Sequence, residues 1–125
     1  MVPKDLKFSK EHEWLKVQGE IAILGISQYA QEELGDIVYA ELPEINSRFE
    51  AESECGVLES VKTVSNLYLP LKAEIIEVNK KIIETPQLIN ESPYEDGWLF
   101  KIKILNPEDL DNLMNATEYE DFLAS

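Results

Sequence analysis

The sequence predicts a mostly β protein made of two similar antiparallel half-sheets, with short helices and a helix at the C-terminus. Three observations carry this. Short apolar runs of strand length recur along the whole chain, prolines and glycines punctuate them, and the pattern that opens at Gly35 returns at Ala73. The 125 residues suit a single domain, 1–125, with a radius of gyration of roughly 14 Å.

The elements follow in order. In "EWLKVQGEIAILGI" two apolar runs flank Gly19, as in a hairpin. Ser27 then precedes "QYAQEELG", where helix formers end at Gly35, so a short helix with a serine N-cap and a glycine at its C-terminus is expected. Strand signals return in "DIVYAELP", "ECGVLESV", "LYLPL", "AEIIEVN" and "GWLFKIKIL", separated by Pro43, Pro70, Pro86 and Pro93. Near the end the period changes. Asn106 is a cap, Pro107 suits the first helical position, Glu108 and Asp109 suit the positive end of the dipole, and Leu110, Leu113 and Met114 fall at helical spacing. Tyr119, Phe122 and Leu123 are placed on a second, shorter helix.

The repeat concerns "GDIV" (Gly35–Val38) and "AEII" (Ala73–Ile76). Each is followed by a polar connection containing proline and then by an apolar strand, "GVLES" or "GWLFKI". If the halves pair about a pseudo-twofold axis, Lys62 lies where "GVLES" turns into "SNLYLP", at a hairpin tip. The stretch S-V-K-T-V lacks the Asn-Gly or Asp-Gly pair that marks such a turn.

Bulk properties exclude several classes. A formal charge of −14, from 25 acids and 11 bases, repels a phosphate backbone, and no basic stripe relieves it, so nucleic acid is not an expected partner. Acidity of this size steers the chain toward partners with basic faces. No apolar run approaches the roughly 20 residues of a membrane span. The opening "MVPKDLKFSKEHEW" has neither a signal core nor an Arg/Ser-rich presequence, so a cytoplasmic location is expected. One cysteine, Cys55, and one histidine, His12, leave no disulfide framework and no donor set for a Cys/His metal centre.

A few residues are candidates for chemistry. Lys62 has a bland role as a solubilising charge and a specific one as an attachment point, because its four-carbon stem carries an amine that an acyl group can occupy as an amide. Biotin and lipoamide are held in that way. Cys55 with His12 makes a thiol nucleophile and base conceivable, but no acid or amide orients the pair, and Cys55 shares the parity of Val57 and Val61 in a strand. His12 suits a surface or capping role, and Trp14 and Trp98 suit the core.

The stretch "GVLESVKTVSNLYLP", with "KEHEW", "ILGISQYAQEELGDIVYAELPE", "EVN", "LINESPYEDGWLFKIK" and "EDLDNLMNATEYEDFL", resembles the glycine cleavage system H protein family over nearly the whole chain. Ala73, Thr63 and Cys55 depart from the residues common in that family. The resemblance implies a flattened barrel or sandwich of the lipoyl/biotinyl hammerhead type, with (R)-lipoic acid on Lys62 as an amide. It implies a carrier, not an enzyme, serving the P protein (a glycine decarboxylase), the T protein (an aminomethyltransferase) and the L protein (a dihydrolipoyl dehydrogenase). A lipoate ligase or transferase would load it, and a monomer is expected. It also places Glu13, in "HEW", near the pocket into which the loaded arm folds, where a protonated amine would meet it, and Glu59 where a ligase would read the hairpin. Biotin is the second cofactor to consider, but biotin domains set their lysine between methionines, and Lys62 lies between Val61 and Thr63. A related lipoyl carrier for another pathway, such as lipoate relay or sulfur oxidation, is the alternative function.

Overall fold

A computed structural model describes residues 2–125. Its strands are β1 (Lys7–Phe8), β2 (Glu13–Gln18), β3 (Ile21–Ile26), β4 (Ile37–Glu41), β5 (Arg48–Phe49), β6 (Glu54–Ser60), β7 (Val64–Tyr68), β8 (Ala73–Val78) and β9 (Phe100–Ile104). The helices are α1 (Gln28–Leu34), α2 (Lys80–Glu84), α3 (Leu88–Glu91) and α4 (Ala116–Ala124), with a 3-10 turn over Pro107–Asn112. All strand pairs are antiparallel and form two sheets, one of six strands in the order β1-β2-β3-β9-β8-β5 and one of three in the order β4-β6-β7.

The β2–β3 hairpin forms where Gly19 predicts it. Gln18 pairs with Ile21, leaving a two-residue turn whose first residue, Gly19, has φ +67°. The Ser27 hydroxyl accepts from the Ala30 N–H to start α1, and the Gly35 N–H donates to the Gln31 carbonyl to end it. Gly35 has φ +82°, a conformation that disfavours any side chain. The repeat is physical as well. β4 pairs with β6 and β8 with β9, and both pairs slip register at equivalent positions, between Ile37 and Tyr39 and between Ile75 and Glu77.

The sheets close over one core. Leu15, Leu24, Ile75 and Ile102 from the large sheet meet Ile37, Leu58 and Leu67 from the small one. β5 follows β4 in sequence yet pairs with β8, Phe49 opposite Ala73, so the first half is laced into both sheets. A second cluster comprises Phe8 and Trp14 under Tyr119 of α4, with Phe8 and Tyr119 stacked at 4.3 Å.

The chain after Val78 departs from expectation. Asn79 caps α2 and its amide donates to the carbonyls of Asp96 and Trp98, so a helix pair occupies the stretch read only as a break at Pro86. The Asn106–Pro107 start yields only the 3-10 turn, because Met114 exchanges backbone hydrogen bonds with Phe8 and ends it. The longer helix is α4, started by a capping box between Asn115 and Glu118. Trp98 is half-buried ahead of β9, with the Lys101 ammonium 5.3 Å over its ring, whereas Trp14 is 2% exposed and its indole N–H donates to the Pro93 carbonyl at 2.9 Å.

The two tryptophans therefore differ in weight. Trp14→Ala is expected to cost roughly 3 to 5 kcal/mol in urea unfolding, and Trp98→Ala less than half as much. Equal losses would contradict this assignment of the core.

Candidate functional site

Lys62 stands at the tip of the β6–β7 hairpin and is exposed. The Ser60 hydroxyl oxygen accepts from the N–H groups of Lys62 (3.2 Å) and Thr63 (3.1 Å), and the Ser60 N–H donates to the Thr63 carbonyl at 2.8 Å. A serine side chain thus does the work that Asn-Gly does elsewhere. One further rung fixes the tip to the body, since the Val61 N–H donates to the Asp36 carbonyl at 3.0 Å. The apolar side chains next to the lysine in the hairpin have little cover: Val61 is 70% exposed and Val64 59%. Glu59, half-buried, pairs in register with Tyr39 on one side and Val64 on the other, so it belongs to the strand below the tip.

Glu13 lies toward the other end of β7. The chain turns from β1 into β2 through Ser9–His12, with His12 at φ +69°, and this delivers Glu13 inward at 2% exposure. The Ser9 hydroxyl donates to Glu13 Oε1 at 2.6 Å and the Tyr68 N–H donates to Oε2 at 3.3 Å. Burial pushes the carboxyl up to about 7; the hydrogen bonds from Ser9 and Tyr68 pull it down without prevailing, and Glu11 adds a little upward. The carboxyl faces a cavity of about 430 Å³ lined by Ser9, Glu52, Tyr68, Pro70 and Leu113 among others.

Hairpin tip and cavity are therefore two ends of one strand. From Lys62 to Tyr68 the chain advances roughly 17 to 20 Å. A lysine stem carrying a lipoyl chain and a one-carbon amine spans about fourteen bonds, about 18 Å when extended. The two estimated lengths are of the same order.

The sequence profile described as glycine cleavage H-protein matches residues 6–125. The chain belongs to this family. It is 50% identical to the glycine cleavage system H protein of Symbiobacterium thermophilum over 121 residues, covering 97% of this chain and 94% of that one. It is 47% identical to that of Staphylococcus carnosus over 122 residues, covering 98% and 97%. The crystal structure of the H protein from Mycobacterium marinum superposes with a TM-score of 0.91 at 33% identity, covering 99% of this chain and all of that one.

The remaining candidates fit an H-protein scaffold in structural roles. Cys55 lies in the main core, where burial, then Glu13 and Glu54, push its thiol up to about 12; it is held as an inert thiol. His12 Nδ1 is 2.8 Å from the Tyr119 hydroxyl, which is 2.7 Å from the Ser27 hydroxyl, so the histidine ties α4 to the start of α1. The sequence does not single out Ser9, Ser60 or the Tyr68 N–H. Ser60 carries a legible signal, a serine two residues before the tip, whereas the other two act through contacts made only on folding.

Glu13 has a measurable signature. The unfolded chain ionises this group near 4.5 and the folded one near 7, so between those values the folded state binds more protons. Its contribution to stability is greatest below 4.5, falls as pH rises toward 7 and is flat above. Glu13→Gln removes this fall, and relative to wild type it should gain on the order of 2 to 3 kcal/mol between pH 5 and pH 8 in denaturant unfolding. A pH-independent difference between the two proteins would place Glu13 in contact with water.

Proposed function

We propose that this H-protein family member is the lipoyl carrier of a glycine cleavage system, with lipoic acid attached as an amide to Lys62. The observation that carries the proposal is an exposed lysine at the tip of the hairpin whose second strand ends at Tyr68, where the backbone N–H donates to the buried carboxyl of Glu13. When attached, the group supplies the sulfur on which an aminomethyl unit passes from the P protein to the T protein and which the L protein reoxidises. The chain's own residues do the rest. Lys62 offers the amine to a lipoate ligase or transferase, and the Ser60 turn holds it clear of the surface. Family membership supports a carrier component; on this proposal it has no catalytic base of its own and works in the cytoplasm as a monomer. Among the described residues no helix is long and apolar enough to cross a membrane.

Glu13 protects the cargo. A cationic amine entering the cavity meets a carboxyl poised near neutrality, which releases its proton and becomes the counter-ion. Leu69, Pro70 and Leu113 give the cavity its apolar side.

Incubation with a lipoate ligase should add a single lipoyl mass, on Lys62, and Lys62→Arg should abolish it, because arginine keeps the charge and offers no acylable amine. The modified form should also run faster on a native gel, its charge going from −14 to −15 (−14 − 1). Acylation at Lys72 or Lys80 instead would refute the assignment. Glu13→Gln should load normally yet release ammonia about ten- to a hundredfold faster from the aminomethylated protein without T protein, the loss expected for one charge-assisted hydrogen bond. An unchanged release rate would remove Glu13 from the arm's resting place.

A further inference from the structure

Asn90, on α3, touches neither Lys62 nor the cavity, yet every polar group of its side chain is spent on one segment of the chain. Its Oδ1 accepts from the Ile37 N–H at 2.8 Å, and its Nδ2 donates to the Gly35 carbonyl at 2.9 Å and to Gln31 Oε1 at 2.9 Å. These contacts lock the joint between α1 and β4 from both sides. The residue between them, Asp36, supplies the carbonyl that accepts from the Val61 N–H, the last rung before the hairpin tip. Beyond that rung the tip is shaped only by its own Ser60 turn. The lysine's stem lies beside the same joint: a Cβ on Gly35 would be 3.4 Å from Lys62 Cε, an ordinary contact distance.

We propose that Asn90 is a positioning residue for acylation of Lys62: by clamping Gly35–Ile37 it fixes the carbonyl that tethers Val61, and through it the direction in which the lysine leaves the surface. The inference rests on the reading of Lys62 as the acylated residue. The chemistry explains the residue type. Only a side-chain amide offers an acceptor and two donors at one position; aspartate keeps the acceptor and loses both donors, and an apolar residue loses all three. A ligase must bring a small amine onto an activated acyl carbon, and a tip whose backbone is already set costs it less ordering on binding.

The test compares wild type, Asn90→Ala and Asn90→Asp with Asn115→Ala, which removes the cap of α4 far from the hairpin and controls for general loss of stability. Each is assayed for ligase-catalysed lipoylation at equal folded concentration and for hydrogen exchange at the Val61 amide. Asn90→Ala should speed Val61 exchange and lower the ligase's kcat/KM, each by about five- to tenfold, the effect of one ordinary hydrogen bond. Asn90→Asp, which retains the Ile37 contact but turns a carboxylate oxygen toward the Gly35 carbonyl and Gln31 Oε1, should change both at least as far as Asn90→Ala and serves if the alanine variant does not fold. Asn115→Ala should change neither quantity. A slowed acylation with wild-type exchange at Val61, or normal acylation in both Asn90 variants, overturns the proposal. A wild-type chain left unmodified at Lys62 overturns the carrier reading instead, and exchange at Val61 then decides by itself whether Asn90 holds the tip.

Discussion

The site depends on β7 being an edge strand. It pairs with β6 on one side, and along it Val64, Asn66 and Tyr68 share a parity that turns their N–H and C=O groups away from that partner. An unpaired edge is a liability for aggregation. Here it is kept to five residues, and at its far end the Tyr68 N–H is taken by Glu13 of β2. That hydrogen bond joins the small sheet to the large one at the cavity. It also brings the hairpin tip and the buried acid into a fixed relation, separated by the length of one strand.

Burying Glu13 weakens the fold at neutral pH, since its carboxyl prefers the proton that water would remove. Unfavourable local choices gather around it. Of three non-glycine residues with positive φ among the described ones, His12 immediately precedes Glu13 and Glu52 lines the same cavity. Such costs persist where the surrounding structure over-determines them and serve a purpose other than stability. The surroundings here are stiff: Ser9 is bonded to Glu13 through both its backbone N–H and its hydroxyl, and the His12 carbonyl accepts from the Ser27 N–H at the start of α1.

What was legible in the sequence is what local chemistry decides. Gly19 sets a turn and Ser27 and Gly35 bound a helix, because each needs only neighbours in the chain; the recurrence of "GDIV" as "AEII" marks two similar half-sheets, whose shared bulge appears only once distant strands pair. Lys62 could be placed at a tip from the apolar runs on either side, although the device that makes the turn, the Ser60 hydroxyl, was hidden by the lack of a glycine. The two-residue strands β1 and β5 have no pattern of their own and exist because β2 and β8 offer them edges. Pro107 gives a genuine start signal, and the helix fails there because Met114 is drawn to Phe8, a contact more than a hundred residues away in sequence. The capping box at Asn115 was equally local and outranked in the reading by the proline eight residues before it.

The division between fixed and free atoms explains how such a small domain can carry a long arm. The hairpin tip is tied to the core through backbone groups, Val61 to Asp36 and Ser60 to Thr63, and none of these ties uses the side chain of Lys62. Among the described residues the Lys62 ammonium makes no hydrogen bond or ion pair, so converting it to an amide removes a charge and no native contact. The stem passes beside Gly35, where an added Cβ would only come to contact distance, 3.4 Å from Cε. On the proposed reading, folding energy is invested in where the arm would begin and in the cavity where it would rest, with the exposed edge of β7 between them. A chain arranged in this way would keep the same fold before and after the proposed acylation, so that one scaffold could present itself in turn to the enzyme that loads the arm and to those that act on what the arm carries.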